Sequence, residues 1–208
     1  VKVMGVRQGG RLHLTVAMAF VDRWIENEQT YLARKEAVCH DLQQHLNGEL
    51  THLDSVEIHL NTLDELGRGV AGMYLTVLGT SAESGDGGEV GRGNPANGVI
   101  SLNRPISNEA AAGKNPVSHV GKIYNLLSYR MAEAIYDKVE PVEEAYVWLC
   151  SQIGRPVELP WFASVGVVLA PDAVVSDVDG PVRKIVHQQL AEMPDFCERL
   201  LRGEWTVC

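Results

Sequence analysis

Long apolar runs are missing from this sequence: none approaches the twenty or so residues that a membrane-spanning helix needs. Cysteine is scarce and scattered, at Cys39, Cys150, Cys197 and Cys208, with no C-x-x-C and a single adjacent Cys-His pair, Cys39-His40. That pattern indicates neither a zinc site nor a disulfide framework, and free thiols in a reducing cytosol are expected. Positive charge is also in short supply, with 18 Lys and Arg against 27 Asp and Glu and a net charge of −9. Non-specific binding to nucleic acid or to an anionic membrane is therefore not expected, although a local basic site for a small anion is still allowed. The opening residues do not read as a signal peptide. "VKVMGV" reads instead as a strand already under way, so the chain is expected to be a fragment of something longer.

What is present is ordinary globular composition. In 208 residues, 45% are hydrophobic and 22% charged, enough for one large domain or two small ones with a core. Residues 2–7 and 11–21 flank Gly9-Gly10, and Leu12, Leu14 and Val16 alternate with polar His13 and Thr15, which predicts a hairpin. Leu32, Cys39, Leu42 and Leu46 recur at helical spacing over 28–47, with Gly48 as a stop. Strict alternation predicts a strand over 55–61, and 73–78 predicts another, so the first unit reads ββαββ. Beyond it, 98–103 predicts a short strand. Pro116 reads as the first residue of a helix whose stripe of Val117, Val120, Ile123, Tyr124, Leu127, Met131 and Ile135 runs to about Lys138. Strands are predicted over 144–153 and 162–169, and helices over 181–193 and 195–202, split at Pro194. The alternation implies an α+β fold of repeated ββαβ-type units, with mixed or antiparallel sheets covered by helices on one face. Three segments follow: an α+β domain at 1–79, a glycine-rich loop at 80–98 and a second α+β domain at 99–208.

The loop is the unusual feature. "GTSAESGDGGEVGRGNPANG" (79–98) holds seven glycines in twenty residues, with Glu83, Asp86, Glu89 and Arg92 among them. Glycines let a ligand approach the backbone, and successive N–H groups make a nest for an anion. Asp86 suits an ammonium or a metal-bound water, and Arg92 suits a phosphate or carboxylate. The same residues also fit a surface loop with solvated charges. Next, "EAAAGKNPVSHVGKIYN" (109–125) places Lys114, His119 and Lys122 around a helix start, where the backbone dipole already favours anions. Asn115-Pro116 breaks the P-loop pattern, so this is not a Walker motif. Trp148 and Trp161 read as core or interface residues. His13 and His59 occupy polar positions of alternating strands and read as structural rather than as ligands.

Taken together, these two stretches, "SQIGRPVELP" (151–160) and the opening "VKVMGVRQGGRLHLTVAMAFVDR" resemble the archaeal-type S-adenosylmethionine synthetases, the methionine adenosyltransferases. The resemblance covers nearly the whole chain and is densest over 77–130. It implies an enzyme that joins L-methionine to the adenosyl group of ATP and cleaves the released triphosphate to pyrophosphate and phosphate, using Mg2+ and K+. It implies three similar domains about a pseudo-threefold axis, a cytoplasmic homodimer with sites at the subunit interface, and this chain as the second half of the family's length, paired with an amino-terminal segment outside it.

Residue by residue, the resemblance implies that Lys2 contacts ligand phosphates or ribose. It puts Asp86 at the methionine and adenosyl site, and Arg92 facing the triphosphate. Lys114, in GKNP, corresponds to a phosphate-binding lysine, with His119 and Lys122 as triphosphate contacts. It assigns no metal ligand. Two positions depart from the family pattern: GDDG is here Gly85-Asp86-Gly87-Gly88, and the second arginine of GRGNR is Pro95. A non-catalytic binding or assembly module with the same fold is the competing expectation.

Overall fold

The computed structural model describes residues 1–79, 96, 98–99, 101–107 and 110–207. The chain divides into two units, Val1–Ala82 and Glu83–Cys208.

In the first unit, β1 (Lys2–Gln8) and β2 (Arg11–Ala17) form the expected antiparallel hairpin, with Gln8 opposite Arg11. The turn favours glycine at Gly9, which has φ of +61°, and at Gly10 a Cβ would lie 2.0 Å from Oδ2 of Asp54 and push that side chain aside. The strand predicted over 11–21 is interrupted after Ala17. Residues Phe20–Val21 form a separate short strand, β3. The cause is Asn61. Its amide oxygen accepts from the N–H of Met18 and its nitrogen donates to the carbonyl of Met18, both at 2.8 Å, replacing two ladder bonds with a side chain.

Helix α1 (Glu28–Glu49) follows, capped by Asn27, whose side chain accepts from the Thr30 N–H at 2.8 Å. It runs through Gly48 rather than stopping there. The chain returns as β4 (Ser55–Leu60), which pairs parallel with β2, so the three-stranded sheet has the order β1-β2-β4. A parallel return needs a crossover, and α1 provides it. The strand predicted over 73–78 shrinks to β5 (Leu75–Thr76), parallel to β3.

The apolar cluster of this unit is small: Ile25, Tyr31 and Met73, with Phe20, Leu32 and Leu75 against it. A polar network stands beside it. The Asn61 nitrogen also donates to the Tyr31 hydroxyl at 2.8 Å, and that hydroxyl donates to Oδ2 of Asp64 at 2.9 Å. Lys35 donates to the same carboxylate at 2.6 Å and to the Asn61 carbonyl at 3.0 Å. Asn61 is the one non-glycine among the described residues at positive φ, +45°, which asparagine tolerates better than most. Burial, assisted by Asp64, pushes the Tyr31 hydroxyl up to about 12.

The second unit is built on α2 (Val120–Lys138), with Ile123, Leu127, Met131 and Ile135 stacked four residues apart and each essentially inaccessible. They pack with β6 (Val142–Cys150) and β7 (Phe162–Leu169), an antiparallel pair, and with Val178, Val182 and Val186 of α3 (Val175–Ala191) and Phe196 and Leu200 of α4 (Met193–Leu201). The break between α3 and α4 falls at Glu192 rather than at Pro194, which sits in the first turn of α4, where its missing N–H costs nothing. Helix α3 begins six residues before the predicted 181, because Asp177 accepts from the Val174 N–H at 3.0 Å and fixes an earlier start. Pro181 is carried inside the helix.

Further sequence expectations need correction. The described residues of 98–103 form no strand, and Gly98 turns at φ +70°. Helix α2 starts at Val120, one turn after Pro116. Trp148 is 42% exposed and stacks on Tyr146, so of its two expected places, core or interface, the core is excluded. The sheets are mixed α+β as expected. Among the described residues, no helix is long and apolar enough to cross a membrane.

Candidate functional site

The start of α2 is where the sequence-predicted cations meet. Ala111 is fully buried in the core of the second unit and anchors the segment that carries them. Gly113 then turns at φ +77°, a conformation that favours glycine, and delivers Lys114 to the turn before the helix. The Asn115 side chain accepts from the N–H groups of Val117 (2.9 Å) and Ser118 (3.2 Å), closing an Asx turn around Pro116. The single turn over Pro116 does not run on into α2 because His119 is extended, at φ −87° and ψ 104°, and the helix starts afresh at Val120.

His119 is the N-cap. Its Nδ1 accepts from the Gly121 N–H at 3.1 Å, and its carbonyl accepts from the N–H groups of Lys122 and Ile123. Because Nδ1 accepts, Nε2 is the ring nitrogen left to carry a proton. Lys122 lies one turn in and is only 8% exposed. Burial, and then the charge of Lys114, hold its amine below the ordinary lysine range. Two lysines that repel each other at a helix N-terminus, one desolvated, make a local site for a multiply charged anion on a chain of net charge −9.

Two further motif segments converge on α2. The Tyr124 hydroxyl donates to the Val157 carbonyl at 2.6 Å and so fastens "SQIGRPVELP" to the helix. Burial, with smaller contributions from Cys150 and Glu158, pushes that hydroxyl up to about 12. Ala96, near the end of the glycine-rich loop, belongs to the same buried cluster as Ala111 and Ile123. Sequence reasoning counted Tyr124 only as part of the apolar stripe. Its position beside buried Ile123 hides the hydroxyl's role, and only the neighbouring Pro-rich segment hints at it.

The structure thus brings together Lys114, His119 and Lys122. Lys2 is exposed on the first residue of β1, in the first unit. Asp86 and Arg92, together with Gly87 and Pro95, lie outside the described residues. The described groups at the α2 site are amines and an imidazole, not the carboxylate oxygens that magnesium takes.

Comparison with known proteins bears on the whole chain. The family model of S-adenosylmethionine synthetase (AdoMet synthetase) matches residues 1–204. The S-adenosylmethionine synthase of Halobacterium salinarum is 46% identical over 209 residues, covering all of this chain and 50% of that protein. The probable S-adenosylmethionine synthase of Aquifex aeolicus is 44% identical over 207 residues, and that of Archaeoglobus fulgidus 44% over 204, again across half of each relative. The chain spans about half the length of the curated relatives it matches.

Proposed function

This chain belongs to the S-adenosylmethionine synthetase family, and on that premise we propose that it supplies the triphosphate-binding part of a site where L-methionine and ATP are joined. The single observation that carries the proposal is the convergence of Lys114, the Nε2–H of His119 and the buried Lys122 at one helix N-terminus.

The reaction is a displacement. The methionine sulfur forms a bond to C5′ of the adenosyl group, and the C5′–O bond breaks with its electron pair going to the triphosphate. Charge builds on the leaving oxygen, so the protein's task is to orient the reactants and neutralise that charge. In this proposal Lys114 meets the terminal phosphates from the turn. The His119 imidazole donates without changing its protonation state. The desolvated Lys122 gains a counter-charge in a medium where an ion pair is stronger than in water. No general base is required, because the thioether sulfur attacks as it is.

Magnesium accompanies a nucleoside triphosphate and lowers its charge when bound. The α2 residues do not fit the ion itself, so no step is routed through it. Asp86 and Arg92 are proposed for the methionine side and the triphosphate side of the glycine-rich loop, and Lys2 for the phosphates or ribose. K+, a homodimer, a cytoplasmic setting and completion by an amino-terminal segment are carried over from the family as part of the same proposal.

The test separates binding from catalysis. Titrating the chain with tripolyphosphate should give saturable binding that Lys114→Ala weakens by about tenfold or more, a loss of about 1.4 kcal/mol. Mixing the chain with the amino-terminal half of a relative, ATP, methionine and Mg2+ should yield S-adenosylmethionine. Triphosphate binding without product from any complementing half would favour the non-catalytic reading, to which Gly87 and Pro95 lend support by removing charge from the loop. No binding at all would remove the proposal.

A further inference from the structure

We propose that His13, Glu57 and His59 form a binding site for a divalent transition-metal ion, of the zinc type, on the sheet of the first unit. The site shares no residue with the anion site at α2.

The pairing of β2 with β4 creates it. In parallel register His13 lies opposite Glu57, and Thr15 opposite His59. Glu57 and His59 are two residues apart on one strand and share a face, so all three side chains leave the sheet on the same side. One carboxylate joins both rings: Nδ1 of His13 is 3.0 Å from Oε2 of Glu57, and Nε2 of His59 is 3.3 Å from Oε1. The rings lie nearly parallel, with centroids 6.4 Å apart and planes inclined by 13°. One ligand atom from each residue lies within 4.8 Å of the other two.

These spacings suit a small ion. Bonds of about 2.0–2.2 Å from zinc to nitrogen or oxygen place neighbouring ligand atoms roughly 3–3.5 Å apart. The two histidine–carboxylate separations already fall there, and small side-chain rotations would close the third. Two imidazoles and one carboxylate suit zinc, copper or nickel, whereas magnesium and calcium prefer oxygen alone. The side chains are 21% (His13), 28% (His59) and 59% (Glu57) exposed, so the ion has an entry path and water can complete its shell. Strands hold ligands more rigidly than loops do.

The probe is ZnCl2 added to the EDTA-stripped full chain and followed by calorimetry. One ion per chain is expected, with affinity falling about tenfold or more in His59→Ala and in Glu57→Gln, and with no competition from excess Mg2+. The unsubstituted chain loaded with Co2+ provides a readout that does not depend on any variant folding. It should show ligand-field bands of nitrogen and oxygen coordination, and no thiolate charge-transfer band. Absence of saturable zinc binding, unchanged affinity in a folded His13→Ala/His59→Ala variant, or a thiolate band pointing to Cys39 would each overturn the proposal.

Discussion

The two units are held together by different means. The second is organised by an apolar stripe, Ile123, Leu127, Met131 and Ile135, that any side chain of similar volume can partly satisfy. The first has a small apolar cluster and beside it a network in which Asn61, Tyr31, Asp64 and Lys35 each have a defined donor or acceptor role. Apolar packing is tolerant of exchange and degrades by volume. A polar network is intolerant of exchange and fails by leaving a buried group without its partner.

That contrast can be tested from the strongest expected effect downwards. Ile135→Ala should cost about 2–5 kcal/mol in urea unfolding, through a cavity beneath α2, whereas Ile135→Leu should cost less than about 1.5 kcal/mol. Asn61→Ala should cost about 2–3 kcal/mol despite removing few atoms, because it orphans the Met18 N–H and carbonyl and the Tyr31 hydroxyl. If Asn61→Asp were as harmless as Ile135→Leu, the contrast would be wrong.

Tyr31→Phe should cost about 1–2 kcal/mol and also change the alkaline limb. A folded-state pKa of about 12, raised above the ordinary 10, gives stability that is fully present below pH 10 and is lost as pH rises toward 12. Stability curves at pH 9–12 should therefore decline less in Tyr31→Phe. Tyr124, raised to a similar value in the second unit, supplies the remaining decline. Lys122 works in the opposite sense: its lowered pKa makes stability rise with pH between its folded-state value and the ordinary 10.5. The smallest effect is the cap: Asn27→Ala should cost about 1 kcal/mol, read from thermal unfolding.

The same contrast accounts for what could be read in advance. The α2 stripe, the Gly9-Gly10 hairpin and strand β7 are periodic or turn-directed, and their signals lie in adjacent residues. The break after Ala17 was not legible, because its cause, Asn61, is 43 residues from Met18. The late start of α2 was misread for a local reason, since Pro116 is equally at home in the Asx turn of Asn115. At the site, Lys114, His119 and Lys122 were legible as two cations and an imidazole near a helix start. The burial of Lys122 was not, and neither was the tether from Tyr124 to Val157, because Val157 lies 33 residues along the chain, between β6 and β7. His13 and His59 looked structural because alternation reports only which face a residue takes. It does not report that parallel register puts Glu57 between them.

The network around Asn61 also bears on how this sequence can drift. A core position such as Ile135 can change by single steps, each neutral or nearly so. Asn61 cannot, since any replacement must at once serve two groups of Met18, keep the Tyr31 hydroxyl bonded and accept a φ of +45°. Tyr31, Lys35 and Asp64 inherit the same constraint through shared protons. In related chains the four positions should therefore be kept as a set or replaced as a set, linking substitutions at 31 and 35 to those at 61 and 64.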